Sequence, residues 1–112
     1  MIYKLLARAE WAEAEARGWY EGSAVDRQDG FVHLSSGEQV VETAARHFAG
    51  QADLVLLTVD PDRLDDALRW EPSRGGLLFP HLYGPLPVNA VLSATPLPAG
   101  VSVPEAVAAL LG

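Results

Sequence analysis

Residues 53–60, DLVLLTVD, constrain the fold more than any other stretch of this chain. The run is apolar except for Thr58 and is closed by an aspartate at each end. It is short, rich in Val and Leu, and does not alternate, which is the pattern of a strand covered on both faces. The rest of the chain must therefore supply one layer above this strand and another below it. At 112 residues, one domain spanning residues 1–112 can do so. Hydrophobic residues make up 49% and charged residues 21%, an ordinary globular balance. There is no cysteine, so disulfides, thiolate nucleophiles and cysteine metal sites are excluded.

Around this strand the pattern alternates strands with short helices. Residues 2–8, IYKLLAR, read as a strand, and residues 10–17 as an Ala/Glu-rich helix stopped by Gly18. Residues 19–30 read as a polar loop and residues 31–35 as a short strand. Ser36 with Gln39 three residues on resembles a capping box. The helix it opens runs to about His47 or Ala49, with Val40, Val41, Ala44, Ala45 and Phe48 as its apolar stripe and His47 packed beside it. Pro61 behind Asp60 predicts a short helix to about Leu68. Residues 69–71 suit a strand, and residues 72–87, with four prolines, a long ordered loop with room for one short strand. Residues 89–97 read as the last strand and 104–111 as a terminal helix. Short helices, long loops and no Gly-rich phosphate loop argue against a doubly wound sheet. The expected class is a compact α+β domain with a mixed, split β-sheet and short helices.

The net charge of −7 and the scattered positions of the eight Lys and Arg residues argue against extended nucleic acid or an anionic membrane as partner. No apolar run is long enough to span a bilayer, and the first residues lack the features of a secretory leader. A cytoplasmic protein with a small-molecule partner is the expectation; the oligomeric state is not legible.

Three stretches carry residues suited to chemistry. In DGFVHLSS, residues 29–36, strand alternation puts Phe31, His33 and Ser35 on one face and Val32 and Leu34 on the core face. His33 is then either a satisfied structural histidine or the edge of a binding groove. In FPHLYG, residues 79–84, His81 and Tyr83 stand two apart in a rigid context, as in a binding loop or a packed cover over a sheet edge. In RWEPSRGG, residues 69–76, Glu71 beside Trp70 is either a general acid or a surface ion-pair partner. Arg74 could reach a phosphate or carboxylate with help from the Gly75 and Gly76 amides. Gln39 could line the same groove. His33, His47 and His81 are too dispersed for a metal site, and no serine-hydrolase elbow or Walker loop is present.

The strand YKLL, the motif DGFVHLS, the helix QVVETAARHFAG, and the segments DLVLLTVD, RWE and FPHLYGPL occur in that order, from about Tyr3 to about Leu97. This combination resembles the domain-of-unknown-function 952 family (DUF952), small bacterial and plant proteins grouped by fold with the ADP-ribosyltransferase superfamily, in a branch akin to RNA 2′-phosphotransferases. The resemblance implies a split α+β core that clasps NAD in a cleft. It implies that His33 contacts a ribose hydroxyl, that the backbone at position 34 contacts the nicotinamide amide, and that Ser35 completes the motif. Leu34 stands where that branch has glycine. His81 maps to a second histidine, Tyr83 to a ring-stacking partner, and Glu71 to the catalytic carboxylate.

These readings combine into one expectation. His33, His81 and Glu71 act as catalytic residues, and Phe31, Ser35, Gln39, Arg74 and Tyr83 bind the ligand. The cofactor or substrate is NAD or a related nucleotide, without a metal, and an ADP-ribosyl or related transfer is the possible reaction. The alternatives are a non-catalytic module that binds a small metabolite, and a structural or interaction domain with buried histidines.

Overall fold

The computed structural model describes residues 1–112. Its elements in chain order are β1 (Ile2–Ala7), α1 (Arg8–Arg17), β2 (Trp19–Tyr20), α2 (Ala24–Asp29), β3 (Val32–His33), β4 (Ser35–Ser36), α3 (Val40–His47), β5 (Leu54–Val59), β6 (Leu68–Pro72), β7 (Leu78–Leu82), β8 (Leu86–Pro87), β9 (Val91–Pro96) and α4 (Val103–Leu111). They form an α+β domain with three sheets, of order β4-β1-β5-β9, β3-β7-β6 and β2-β8. No helix is long and apolar enough to cross a membrane.

The apolar octapeptide is an inner strand, as its pattern requires. β5 lies between β1 and β9, with Leu5 opposite Leu56 and Leu57 opposite Ala94. Val55, Leu57 and Val59 join Ile2 and Leu6 in a core with Trp11, Tyr20, Val32, Leu34, Leu82 and Leu86. On the other face, Leu54 and Leu56 join Leu5 against Val40 and Ala44 of α3 and Val103 and Val107 of α4. Full burial of each such Leu or Val stabilises the fold by roughly 1.5–3 kcal/mol. One residue breaks the pattern: Lys4 shares a face with Ile2 and Leu6, yet is only 8% exposed.

Several local expectations need correction. The sheets are split but not mixed, since every strand pair is antiparallel. Residues 19–30 are not one loop: they contain β2 and α2. The expected strand at residues 31–35 is two strands in two different sheets. Pro80 explains the break. Leu34 donates its N–H to the Pro80 carbonyl (3.1 Å). Proline has no N–H to return, so the β3–β7 ladder ends there and the chain crosses to pair with β1.

Ser36 does not cap α3 with its side chain; Gln39 is the flanking residue, and its Oε1 accepts the Ser36 N–H (3.0 Å). Only that half of a capping box is formed. His47 is exposed rather than packed, as is Ala45. The helix expected after Pro61 is two 3₁₀ turns, Pro61–Arg63 and Asp65–Ala67, the first capped by Asp60, whose carboxylate accepts the Asp62 N–H (3.0 Å). Within residues 72–87, read as mostly loop, β7 is the middle strand of its sheet.

Candidate functional site

α2 exists because of a polar local signal. The Asp26 N–H donates to Ser23 Oγ (3.2 Å) and the Ser23 N–H donates to Asp26 Oδ2 (2.9 Å), a reciprocal cap at the helix start. The same carboxylate organises the interior. Oδ2 also faces Lys4 Nζ (2.9 Å), while Oδ1 accepts the His33 N–H (3.1 Å) and lies 2.6 Å from His33 Nδ1. Four donors thus meet a group with about four acceptor sites, so Asp26 is saturated. It is 2% exposed. Burial alone would raise its pKa, but the hydrogen bonds from His33 and Lys4 outweigh that and hold it well below the usual carboxylate range. Burial pulls the Lys4 ammonium below its ordinary value, with Asp26 opposing. Tyr20, pushed far above the ordinary phenol range by burial and by the charges of Asp26 and Glu10, stays protonated. The other ring nitrogen of His33, Nε2, lies 3.0 Å from Asp29 Oδ2.

A second histidine–carboxylate pair sits on the adjacent strands. His81 is opposite His33 in the β3–β7 ladder and opposite Arg69 in the β6–β7 ladder. Glu71, two residues along from Arg69, is therefore a diagonal neighbour on the same face of the sheet. His81 Nδ1 lies 2.8 Å from Glu71 Oε1, and the Tyr83 hydroxyl donates to the same oxygen (2.7 Å). The two hydrogen bonds, from Tyr83 first and His81 second, lower the Glu71 pKa; the bond to Glu71 raises that of Tyr83. The Phe31 ring packs among these groups. It stacks on His81 at 4.0 Å between centroids and lies 4.5 Å from His33 and 5.2 Å from Tyr83.

The His81 side chain is nearly buried, yet Nε2 has no hydrogen-bond partner. No fully buried side-chain nitrogen or oxygen is left unpaired. Nε2 therefore keeps contact with solvent, and His81 is one of the residues that line a groove. That groove has a volume of about 930 Å³, and His33, Ser35, Thr43, Arg74, Phe79 and His81 are among its lining residues, as are the buried Lys4 and Asp26.

Of the eight residues singled out in the sequence, His33, Ser35, Arg74 and His81 line this groove. Ser35 is buried in β4, its hydroxyl 3.0 Å from that of Thr43. Phe31 faces a smaller cleft of about 370 Å³ with Trp19 and Arg27. Glu71 and Tyr83 are not among the lining residues; Glu71 is bonded to His81, and Tyr83 to Glu71. Gln39 is occupied structurally, donating to the Leu78 carbonyl (2.7 Å). No group of three or more His, Cys, Asp or Glu side chains is placed to hold a metal ion.

Lys4 and Asp26 were not singled out. Two signals existed: a lysine on the core face of an alternating strand, which demands a partner, and the S-x-x-D spacing of Ser23 and Asp26 within the polar segment.

Residues 5–94 match the family model described as Protein of unknown function (DUF952). The chain belongs to the DUF952 family. Its fold is also similar to solved structures of protein CC0527 from Caulobacter crescentus, a structural-genomics target. The crystal structure of that protein is 56% identical, with a TM-score of 0.86 over 91% of this chain and 90% of the other. Its solution NMR structure, at the same identity and coverage, gives a TM-score of 0.78. No curated protein matches the chain. Both histidine–carboxylate pairs lie inside the segment matched to DUF952, whereas Lys4 lies just before it.

Proposed function

We propose that this DUF952 domain binds a small nucleotide-type molecule, NAD, ADP-ribose or a relative, in the groove beside β3 and β7, with His81 as its acid–base group. The observation that carries this reading is the state of His81. Its ring is fixed at Nδ1 by Glu71 and by the Phe31 stack, while Nε2 is unpaired and solvent-accessible on a residue that lines the groove. A positioned imidazole with one nitrogen anchored and one free is the arrangement that proton transfer needs. The groove's volume of about 930 Å³ is in the range of small-molecule sites. An ADP-ribosyltransferase-like core is part of the proposal.

In a transfer at the ribose C1′–N bond, nicotinamide leaves with the bonding pair and an oxocarbenium-like centre develops. An acceptor hydroxyl bonds C1′ and gives its proton to His81 Nε2. Glu71, bonded to His81 and Tyr83, then acts as a positioning residue that supports the developing imidazolium.

One observation favours the second reading, a binding module without catalysis. The Leu34 N–H is committed to the Pro80 carbonyl and its side chain is buried. The N–H at the backbone position expected to contact the nicotinamide amide is therefore engaged, and ADP-ribose, which lacks that amide, suits the groove better than NAD.

Thermal denaturation with millimolar NAD, ADP-ribose and nicotinamide, paired with chromatography for released nicotinamide, tests both readings. A ligand selective for the native state raises the midpoint. A shift with NAD and nicotinamide release supports transfer. A shift with ADP-ribose and no release supports the module. No shift with any of the three removes the nucleotide reading.

A further inference from the structure

We propose that the Arg74 wall of the groove is an anion subsite, built for a phosphate monoester or terminal phosphate carried by the bound molecule. This rests on the reading of the groove as a small-molecule site and names the ligand's charge and orientation.

The argument starts from what Arg74 leaves unused. A guanidinium carries five N–H donors in a rigid fork. Arg74 makes a single long hydrogen bond, from Nη2 to Thr43 Oγ1 at 3.4 Å. Its nearest carboxylate, Glu42 Oε2, is 3.9 Å away. Glu42 is better matched to Arg46, whose Nε lies 3.1 Å from it. A side chain that is 22% exposed thus holds most of its donors unspent.

Its position is nonetheless well defined. The β6–β7 hairpin turns through Gly75 and Gly76, at φ +69° and +78°, where a residue with a Cβ would be strained. The turn folds Arg74 back over its own hairpin, and the guanidinium lies 4.9 Å from the centre of the buried Phe79 ring. On its other side a chain of hydroxyls orients it. Thr43 donates to the Gln39 carbonyl (3.1 Å), so Ser35 donates to Thr43, leaving Thr43 Oγ1 as the acceptor for Arg74. These hydroxyls aim the arginine; the arginine's free edge meets the ligand.

The groove is polarised in charge. Arg74 and Arg46 line it and share one carboxylate, that of Glu42, whereas Glu10, Asp26 and Asp29 line it in the neighbourhood of Lys4 and His33. A ligand with one phosphate end and one neutral end therefore has a single favourable orientation. In a protein of net charge −7, two arginines that share a single carboxylate leave a locally positive end to the groove. Bidentate recognition by a planar fork is what arginine supplies to phosphate and lysine does not.

The test compares adenosine with AMP, and adds inorganic pyrophosphate, by isothermal titration on the full chain. The variants are R74Q, R74K, E42Q and R63Q. Arg63 serves as control, being bonded to the Asn89 carbonyl (2.7 Å) outside the groove. The expected result is AMP tighter than adenosine in the parent chain. R74Q then weakens AMP at least about tenfold and leaves adenosine unchanged, R74K shows an intermediate loss, and R63Q shows none. E42Q removes the competing carboxylate from an exposed site and tightens AMP a few-fold. Equal losses for adenosine and AMP in R74Q overturn the subsite, since Arg74 would then only shape the groove. AMP no tighter than adenosine in the parent overturns it while the groove stands. Pyrophosphate binding that depends on Arg74, without any nucleoside binding, supports the subsite and defeats the nucleotide reading. No binding by any probe overturns both.

Discussion

The two histidine–carboxylate pairs are inverses of one another. In the first, the carboxylate of Asp26 is sealed at 2% exposure and the His33 ring is 35% exposed. In the second, the His81 ring is sealed at 6% and the Glu71 carboxylate is 34% exposed. The difference lies in what remains unspent. Asp26 accepts from Ser23, Lys4 and twice from His33, and both ring nitrogens of His33 face carboxylates. His81 keeps Nε2 free beside a groove. A fully paired polar cluster specifies a fold, whereas a positioned group with one open valence can meet a ligand. We therefore read the first pair as the keystone of the α2–β1–β3 junction and the second as the chemical one. That reverses the order of emphasis suggested by the motif around His33.

The largest test of this contrast is Asp26→Asn. It leaves Lys4 buried without its paired carboxylate and weakens both bonds to His33. Breaking one partner out of a buried pair costs about 3–5 kcal/mol. Urea denaturation should show that loss in the midpoint. The paired replacement Asp26→Leu with Lys4→Met should recover much of it, because the uncompensated charge goes too. A loss below about 1 kcal/mol in Asp26→Asn, the size of an exposed pair, would place the cluster among surface salt bridges and end the comparison.

Acid sensitivity gives the next test. The folded Asp26 carboxyl is held below its unfolded pKa of roughly 3.9. Its contribution is present in full above that unfolded value and is lost as pH falls toward the depressed folded one. Stability measured from pH 6 down to pH 2 should fall steeply below about pH 4. In Asp26→Asn that limb should flatten, since the replaced group no longer binds a proton. Parallel limbs for the two proteins would show that other carboxylates carry the acid transition.

Much of this architecture was legible from local pattern. β5 and most of the α3 stripe follow from apolar spacing alone, and the two-residue spacings Phe31/His33 and His81/Tyr83 announce a shared face. The register that puts His33 opposite His81 was not legible, because it is set between strands far apart in the chain. β7 was hidden by Pro80, a residue that argues against an inner strand and is tolerated here because the β3–β7 ladder ends at it while the β6–β7 ladder runs on. Asp26 was hidden by its surroundings, a polar segment read as loop. Its importance comes from Lys4, which tertiary folding brings to it. The site was therefore visible as a set of residues and invisible as a division of labour.

The smallest effect is expected at Tyr83→Phe, on the open side of the second pair. The Tyr83 hydroxyl gives Glu71 one of its two hydrogen bonds, and that bond is the larger cause of the lowered Glu71 pKa. Removing the hydroxyl leaves the His81 bond in place, so the Glu71 pKa should rise toward its ordinary value without returning fully to it. Both residues are substantially exposed, so the thermal midpoint should barely move. Carbon-detected NMR titration of the Glu71 side-chain carboxyl reads the shift directly. The His81 ring should keep its stack on Phe31, and its Nε2 should stay unpaired. An unchanged Glu71 titration would mean that His81 alone holds the carboxylate, making the second pair as self-contained as the first. A collapse in stability would mean that Tyr83 belongs to the core, and the proposed asymmetry between a sealed pair and an open one would fail.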